Sequence, residues 1–407
     1  MYTLKNNIRF LITCLLLLSI GATTYSQSSE KRSDELIIKW KSSSEKKATS
    51  RYNSLITQKG RKLKTINGTN IEIWKIPLAK EKDIITLIEH YKNHPDIAFI
   101  EPNYIYRSFE VIPNDPLFNE QWGLKNTRQT GNTITADISA PDAWEIQERS
   151  TSVKVAIIDS GTDWTHPDLV QNIWQNLGED IDGDGTVLQW TGSQWIFDPD
   201  DENGIDDDGN GYVDDFIGWD FRDNDNNPMD FDGHGTHVAG IVGASGNNGL
   251  GISGVTWEVQ LVSLRIISNG RLKVSDAIEA IQYATLMNIP ISNNSWGGKD
   301  FSGLLFNTIK EAATNNHLFI TAAGNDGLDT DVQPIYPASF DLNNILNVAA
   351  SDTLDTSATF KVGSSNFGQN TVDIYAPGLN ILSCLPNNTY GTRNGTILIL
   401  LELIFIR

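Results

Sequence analysis

Asp159 closes an apolar, largely β-branched run, Val155-Ala156-Ile157-Ile158, and is followed at once by Ser160-Gly161. Such a run suits a strand buried on both faces of a parallel sheet. The carboxylate then stands at the strand's carboxyl end, the edge where ligands and catalytic groups collect in open α/β sheets. His234 lies in Asp232-Gly233-His234-Gly235-Thr236-His237-Val238-Ala239-Gly240. Glycines on both sides permit close approach of other backbone, and a helix beginning near Val238 would present the imidazole at its start. A carboxylate and an imidazole placed this way are a general base and the group that orients it. Each residue also has a plainer explanation. An aspartate after a strand is a common turn former, and a lone histidine is more often structural than catalytic. His234 and His237, three apart, resemble half of a zinc site, but no glutamate holds the base position of a metalloprotease helix motif and no third ligand is evident.

A second chemistry is written into the acidic stretch 178–232. Asp180, Asp182 and Asp184 precede Gly185, while Asp206, Asp208 and Asn210 precede Gly211 and Asp214. Oxygen donors at alternate positions before a turn glycine are the spacing of calcium loops, and Val187 and Val213 stand where such loops carry an apolar anchor. Neither loop has a glutamate twelve residues from its start, so each site would be weak or completed from elsewhere. The alternative is a solvated acidic loop.

The elements that must position these residues alternate between apolar runs and helical patterns. Runs over 153–158, 259–267, 289–294 and 318–323 read as buried parallel strands. Between them Ser275 is placed to cap a helix in which Ala277, Ala280, Ile281 and Ala284 share one face. The stretch 178–232 reads as a long loop insertion with Trp190, Trp195, Trp219 and Phe221 interspersed. Ahead of all this, strands are expected at 35–40, 71–76, 97–100 and 104–106 and helices at 48–57 and 82–92, a small α+β domain. A linker is expected at 108–116, where two prolines flank an Asn-Asp pair.

The ordered blocks resemble the subtilisin family of serine proteases. Asp159-Ser160-Gly161 with its preceding run, His166-Pro167-Asp168-Leu169, and His234-Gly235-Thr236-His237-Val238-Ala239-Gly240 carry the likeness. So do Asn294-Ser295-Trp296-Gly297-Gly298, Ala322-Ala323-Gly324-Asn325-Asp326-Gly327, Tyr336-Pro337-Ala338, Ser365-Asn366-Phe367-Gly368 and Ala376-Pro377-Gly378. The order Asp then His agrees with that family and with neither chymotrypsin-like nor α/β-hydrolase order. The resemblance covers 115–396 and implies an α/β fold, a subtilisin-like parallel sheet flanked by helices. It implies His234 as general base, Asp159 as its orienting carboxylate and the Asn325 amide as oxyanion donor. Ser295, Trp296 and Gly297 would pair their backbone with an extended protein or peptide substrate. The early α+β segment resembles the family's inhibitory propeptide, which makes the chain's own propeptide a partner. On this reading 27–112 is propeptide-like and 113–407 is a peptidase domain.

Charge and composition agree with an exported protein. Lys5 and Arg9 precede an apolar stretch over 10–20 and then small polar residues, the pattern of a signal peptide over 1–26. No internal run of eighteen apolar residues marks a membrane span. Cys14 falls within the leader, leaving Cys384 alone, so stability outside the cell would rest on the core or on bound metal. Net charge is −20, yet 27–107 carries sixteen basic and ten acidic residues against thirteen and forty-one from 108 onward. Such a balance argues against nucleic-acid binding and favours attraction between the two segments.

One position departs from the family. After Tyr390-Gly391-Thr392-Arg393-Asn394-Gly395-Thr396 the family continues with the nucleophilic serine and Met-Ala, heading a long central helix; here Ile397 stands in the serine's place and the residues to Arg407 are nearly all apolar. The sheet is accordingly expected to be incomplete at its C-terminal end and the chain as written inactive. Two other functions compete: a non-catalytic peptide binder that keeps the cleft, and a calcium-dependent surface adhesion module, which explains the acidic loops but not the ordered blocks.

Overall fold

The computed structural model describes residues 30–41, 60–76, 81–105, 110–129, 136–361 and 363–396. The expected leader over 1–26, the expected helix over 48–57 and the residues from Ile397 onward lie outside the described residues. The chain divides into two compact units, Met1–Ser108 and Phe109–Arg407.

In the first unit β1 (Glu30–Trp40), β2 (Arg61–Thr65), β3 (Ile71–Lys75) and β4 (Ile97–Ile105) form a sheet in the order β2-β3-β1-β4, with α1 (Glu81–Tyr91) packed on it. The period-two pattern of β1 sends Leu36, Ile38 and Trp40 into the core, where they meet Trp74 and Ile84. Two short strands were expected around Pro102, but β4 runs through it as one element. That is permitted because β4 is an edge strand, and a missing N–H on an edge breaks no ladder.

The second unit is built on a seven-stranded sheet, all of its pairs parallel. Its strands are β5 (Arg149–Asp159), β8 (Gly218–Asp220), β9 (Glu258–Arg265), β10 (Ile291–Asn294), β11 (Leu318–Ala322), β12 (Ile345–Ser351) and β13 (Ile374–Pro377), ordered β13-β12-β11-β10-β5-β9-β8. Helices cover both faces, as a sheet apolar on both sides requires. A short helix, α2 (Ala140–Trp144), precedes β5, and the helix α3 (His234–Gly243) packs with Val155, Ile157 and Leu261 on one face. On the other, α4 (Val274–Leu286) and α5 (Gly303–Ala313) pack with Ala156, Ile158, Val262 and Phe319. Alternate residues of β5 thus serve opposite layers. A hairpin, β14 (Ile381–Leu385) with β15 (Thr389–Arg393), lies against α3. Among the described residues no helix is long and apolar enough to cross a membrane.

Two expectations are corrected here. The insertion 178–232 is not loop throughout: it holds the hairpin β6 (Leu188–Trp190)–β7 (Trp195–Phe197) and contributes β8, the edge strand of the main sheet. Strands of three residues are too short for periodicity to show. The helix with Ala277, Ala280, Ile281 and Ala284 on its buried face is α4, but it begins at Val274 behind Lys273, and the Ser275 hydroxyl donates to Asp276 instead of capping.

Candidate active site and acidic loops

Asp159 is the last residue of β5, the strand over which the chain crosses in passing from β9 to β10. The strand order reverses at that point, and a crevice opens beyond the carboxyl ends of strands at such a switch. Ser295 follows the end of β10, and Asn325 stands three residues beyond β11. Three neighbouring parallel strands therefore deliver their following residues to one edge. A cleft of about 780 Å³ there is lined by His234, Ser295, Trp296, Gly297, Asn325 and Arg393 among others. A separate cavity of about 830 Å³, bordered by Lys154, Trp174 and Trp257, includes none of these residues.

His234 opens α3, with Gly233 before it at φ 85°. Its Nδ1 lies 2.8 Å from Oδ1 of the fully buried Asp159, whose Oδ1 also accepts the N–H of Ser160 at 2.7 Å. With its proton on Nδ1 the imidazole donates to the carboxylate, which leaves Nε2 to take a proton. The Asp159 charge raises the His234 pKa above its ordinary value, against the opposing effects of burial and of the Arg393 guanidinium. Arg393 closes β15 and donates to the Asp232 carbonyl at 3.3 Å.

Asp230, which sequence reasoning missed, holds the entry to α3. Its buried carboxylate accepts the N–H groups of Gly233 at 2.8 Å and Thr236 at 2.9 Å, the Thr236 hydroxyl at 2.6 Å and the Ser160 hydroxyl at 2.9 Å. The Gly235 N–H in turn donates to Ser160 Oγ at 2.8 Å. These bonds satisfy amides of the first helical turn and tie it to the residue after Asp159. The available signal was an aspartate four residues before the histidine, but Asp220, Asp223, Asp225 and Asp232 are equally eligible by eye.

Asn325 Oδ1 accepts the Thr396 N–H at 3.1 Å, and Thr396 Oγ1 accepts the Gly324 N–H at 3.2 Å. With its oxygen engaged, the amide's NH₂ is the half left to donate. Trp296 turns away from solvent: its indole N–H donates to the Ile158 carbonyl at 3.1 Å beneath β5, and its ring meets Phe319 edge-on. The indole N–H is thereby not available to the cleft. Gly297 is required by close packing, since a Cβ there would come 2.9 Å from the Tyr336 carbonyl oxygen.

In the acidic stretch, carboxylate oxygens of Asp180, Asp182 and Asp184 all lie within 4.8 Å of one another. The second group of this kind is Asp206 and Asp208 with Glu179, a residue the loop spacing did not indicate. Asn210 donates to Asp208 at 3.0 Å and to Asp215 at 3.0 Å, while Asp214 accepts from the amides of Asn203 and Gly204 at 3.3 Å and stands outside that group. Among the described residues, the Lys and Arg ion pairs involve none of these carboxylates. Both groups therefore suit a hard cation with oxygen ligands. Val187 is fully buried as an anchor should be, but Val213 is 40% exposed. The second loop is held by polar contacts instead: Asn176 donates to Asp208 at 2.9 Å and to the buried Asp215 at 2.7 Å, and Tyr212 packs edge-on against Trp219 and Tyr283.

Comparison with known proteins agrees with this fold. The model of the subtilase family, Peptidase S8, matches residues 150–397. The chain is 30% identical over 324 residues to the thermophilic serine proteinase of Bacillus sp. (strain AK1), covering 79% of this chain and 65% of that one. It is 32% identical to the major intracellular serine protease of Bacillus subtilis (strain 168), over 64% of this chain and 68% of that one. It is 31% identical to an extracellular protease of Xanthomonas campestris pv. campestris, over 76% of this chain and 51% of the relative. The chain belongs to the subtilase family. It spans under two thirds of the length of several relatives, 65% and 51% in the first and third cases.

Proposed function

We propose that this chain is built for hydrolysis of peptide bonds by the Asp-His-Ser route, with Asp159 orienting, His234 moving the proton and the Asn325 amide donating to the oxyanion. The observation that carries the reading is the 2.8 Å His234–Asp159 contact opening onto the cleft that also holds Asn325. Extended substrate backbone would lie along Ser295, Trp296 and Gly297. The nucleophile belongs at position 397, where this sequence has isoleucine. None of the three polar residues forms an acyl-enzyme, so the chain as written binds and orients without turning over. Export under the leader over 1–26, and inhibition by the chain's own propeptide-like segment 27–112, complete the proposal.

Calcium is the proposed structural ion, held by Asp180, Asp182 and Asp184 in one loop and by Glu179, Asp206 and Asp208 in the other. It would supply positive charge to carboxylates that otherwise repel one another.

The test compares casein hydrolysis by the chain as written with a version whose residues after Thr396 are replaced by the family's Ser-Met-Ala continuation. Activity is expected only in the second, and His234→Ala should abolish it. Equal hydrolysis by both, lost in both with His234→Ala, would show that another residue is the nucleophile.

A further inference from the structure

The two acidic loops are copies of one device. Asp180-Ile181-Asp182-Gly183-Asp184-Gly185-Thr186-Val187 and Asp206-Asp207-Asp208-Gly209-Asn210-Gly211-Tyr212-Val213 align residue for residue as Asp-x-Asp-Gly-Asp/Asn-Gly-x-Val. Their glycines share one left-handed conformation, φ 76° and 73° at Gly183 and Gly209, and φ 93° and 98° at Gly185 and Gly211. The internal bonds repeat as well. The first aspartate accepts the N–H of the sixth residue at 2.9 Å in one loop and 2.8 Å in the other, and the third residue accepts the fifth at 2.9 Å in both.

The correspondence extends outside the repeat. In the second loop the buried Glu179 accepts the amides of the second and third residues, Asp207 and Asp208, at 3.4 and 3.2 Å. In the first loop the matching amides, Ile181 and Asp182, donate to Asp201 Oδ1 at 2.8 and 3.4 Å. Asp201 is brought there by the β6–β7 hairpin, which pairs Leu188 with Phe197 and continues through the Asp198 N–H to the Val187 carbonyl at 3.0 Å. Here the copies differ. Glu179 engages both oxygens, whereas Asp201 spends one oxygen on both amides. Its Oδ2 is buried without a hydrogen-bond partner, in a residue with 0% exposure. A buried carboxylate oxygen left unpaired beside other carboxylates is costly unless a cation meets it.

We infer that Asp201 is the fourth carboxylate of a calcium site with Asp180, Asp182 and Asp184: like Glu179 in the second loop it accepts the amides of its loop's second and third residues, although, unlike Glu179, it stands outside the 4.8 Å grouping of its loop's carboxylates. Four carboxylates suit a divalent ion of calcium's size, which takes six to eight oxygens, the remainder coming from backbone or water. The inference rests on the proposed use of calcium and adds the ligand that loop spacing could not reveal.

The test titrates calcium chloride into the chelator-stripped full chain by calorimetry, for the parent, Asp201→Asn and Glu179→Gln, and records melting temperatures in chelator and in millimolar calcium. The parent should bind at two classes of site. Asp201→Asn should weaken one class at least tenfold and leave the other, and Glu179→Gln should do the converse. The asparagine keeps an oxygen for the two amides but removes the buried charge. Asp201→Asn should therefore melt at or above the parent in chelator and below it in calcium. Unchanged binding in Asp201→Asn beside two working classes in the parent overturns the assignment of Asp201 alone. A variant melting below the parent by the same amount in both conditions assigns Asp201 a purely structural role and overturns it too. No calcium binding by the parent overturns both this inference and the calcium reading beneath it.

Discussion

Gly235 lies so close to Gly161 that a Cβ on Gly235 would fall 2.0 Å from the Gly161 carbonyl oxygen and 3.2 Å from Asp159 Cβ. The glycine after the histidine and the glycine two residues past the aspartate are thus two sides of one contact. Gly161, at φ 100°, has no room either, since a Cβ there would come 2.5 Å from the Pro228 carbonyl. The first turn of α3 can approach the end of β5 only because Gly235 carries no side chain, while Gly161 lets the Pro228 backbone close over the same turn.

Gly235→Ala is therefore expected to push α3 away from β5. Overpacking of this kind against backbone costs about 1–3 kcal/mol or more. The same displacement lengthens the His234–Asp159 bond, so the His234 pKa should fall in the variant. Denaturant melts together with histidine NMR titration check both; an alanine variant with parental stability and an unmoved His234 pKa would show that the contact is relieved elsewhere.

The electrostatics of His234 give a second expectation. Asp159 raises its pKa, while burial and Arg393 lower it. Asp159→Asn removes the largest raising charge and should drop the pKa, leaving burial and Arg393 opposed only by the smaller effect of Asp230. Arg393→Met should move it upward. In both variants the ring's ¹H–¹⁵N resonances report the titration directly, without any need for turnover. If Arg393→Met left the His234 titration unchanged, the guanidinium would be too well solvated to act on the imidazole.

A third expectation concerns acid stability. His237 is buried in α3 with Nε2 3.0 Å from the Ile381 carbonyl, and burial lowers its pKa from 6.5 to about 4. The unfolded chain therefore takes up this proton before the folded one does. The residue's contribution is complete above pH 6.5 and is lost as the pH falls toward about 4, below which it changes no further. A shift of this size corresponds to a loss on the order of 3 kcal/mol across that window. His237→Gln should flatten the fall in unfolding free energy by about that amount relative to the parent. Parallel curves for the two proteins between pH 6.5 and 4 would count against the assignment. Asp215 works in the opposite direction, burial raising its pKa to about 7, so the difference between variant and parent is the quantity to read.

Much of the architecture was legible along the chain because it is encoded locally. The runs over 153–158, 289–294 and 318–323 became β5, β10 and β11 because largely apolar runs have only a doubly covered sheet to occupy. The alanine face of α4 was visible as a 3.6-residue period. The spacing of Asp180, Asp182 and Asp184 announced a loop whose oxygens converge. Elements without a period of their own were not legible. The three residues of β8 join the main sheet only because β9 offers an edge, and Pro102 passes within β4 only because that strand is outermost.

The sequence by itself thus determined which strands are buried, the order in which the Asp159, His234 and Asn325 blocks follow one another, and the two acidic loops. Each depends on residues within a few positions of one another, where side-chain period and turn chemistry act. Tertiary structure alone decided that Asp230 holds the start of α3, that Arg393 stands near His234, that Asn325 has its oxygen taken by Thr396, and that Asp201 returns to the first loop. Those pairings are closed by strand order and by the β6–β7 hairpin across separations from 6 to 159 residues. A one-dimensional pattern carries no information about which of many equally polar residues the folded backbone will bring to an unfilled donor or charge.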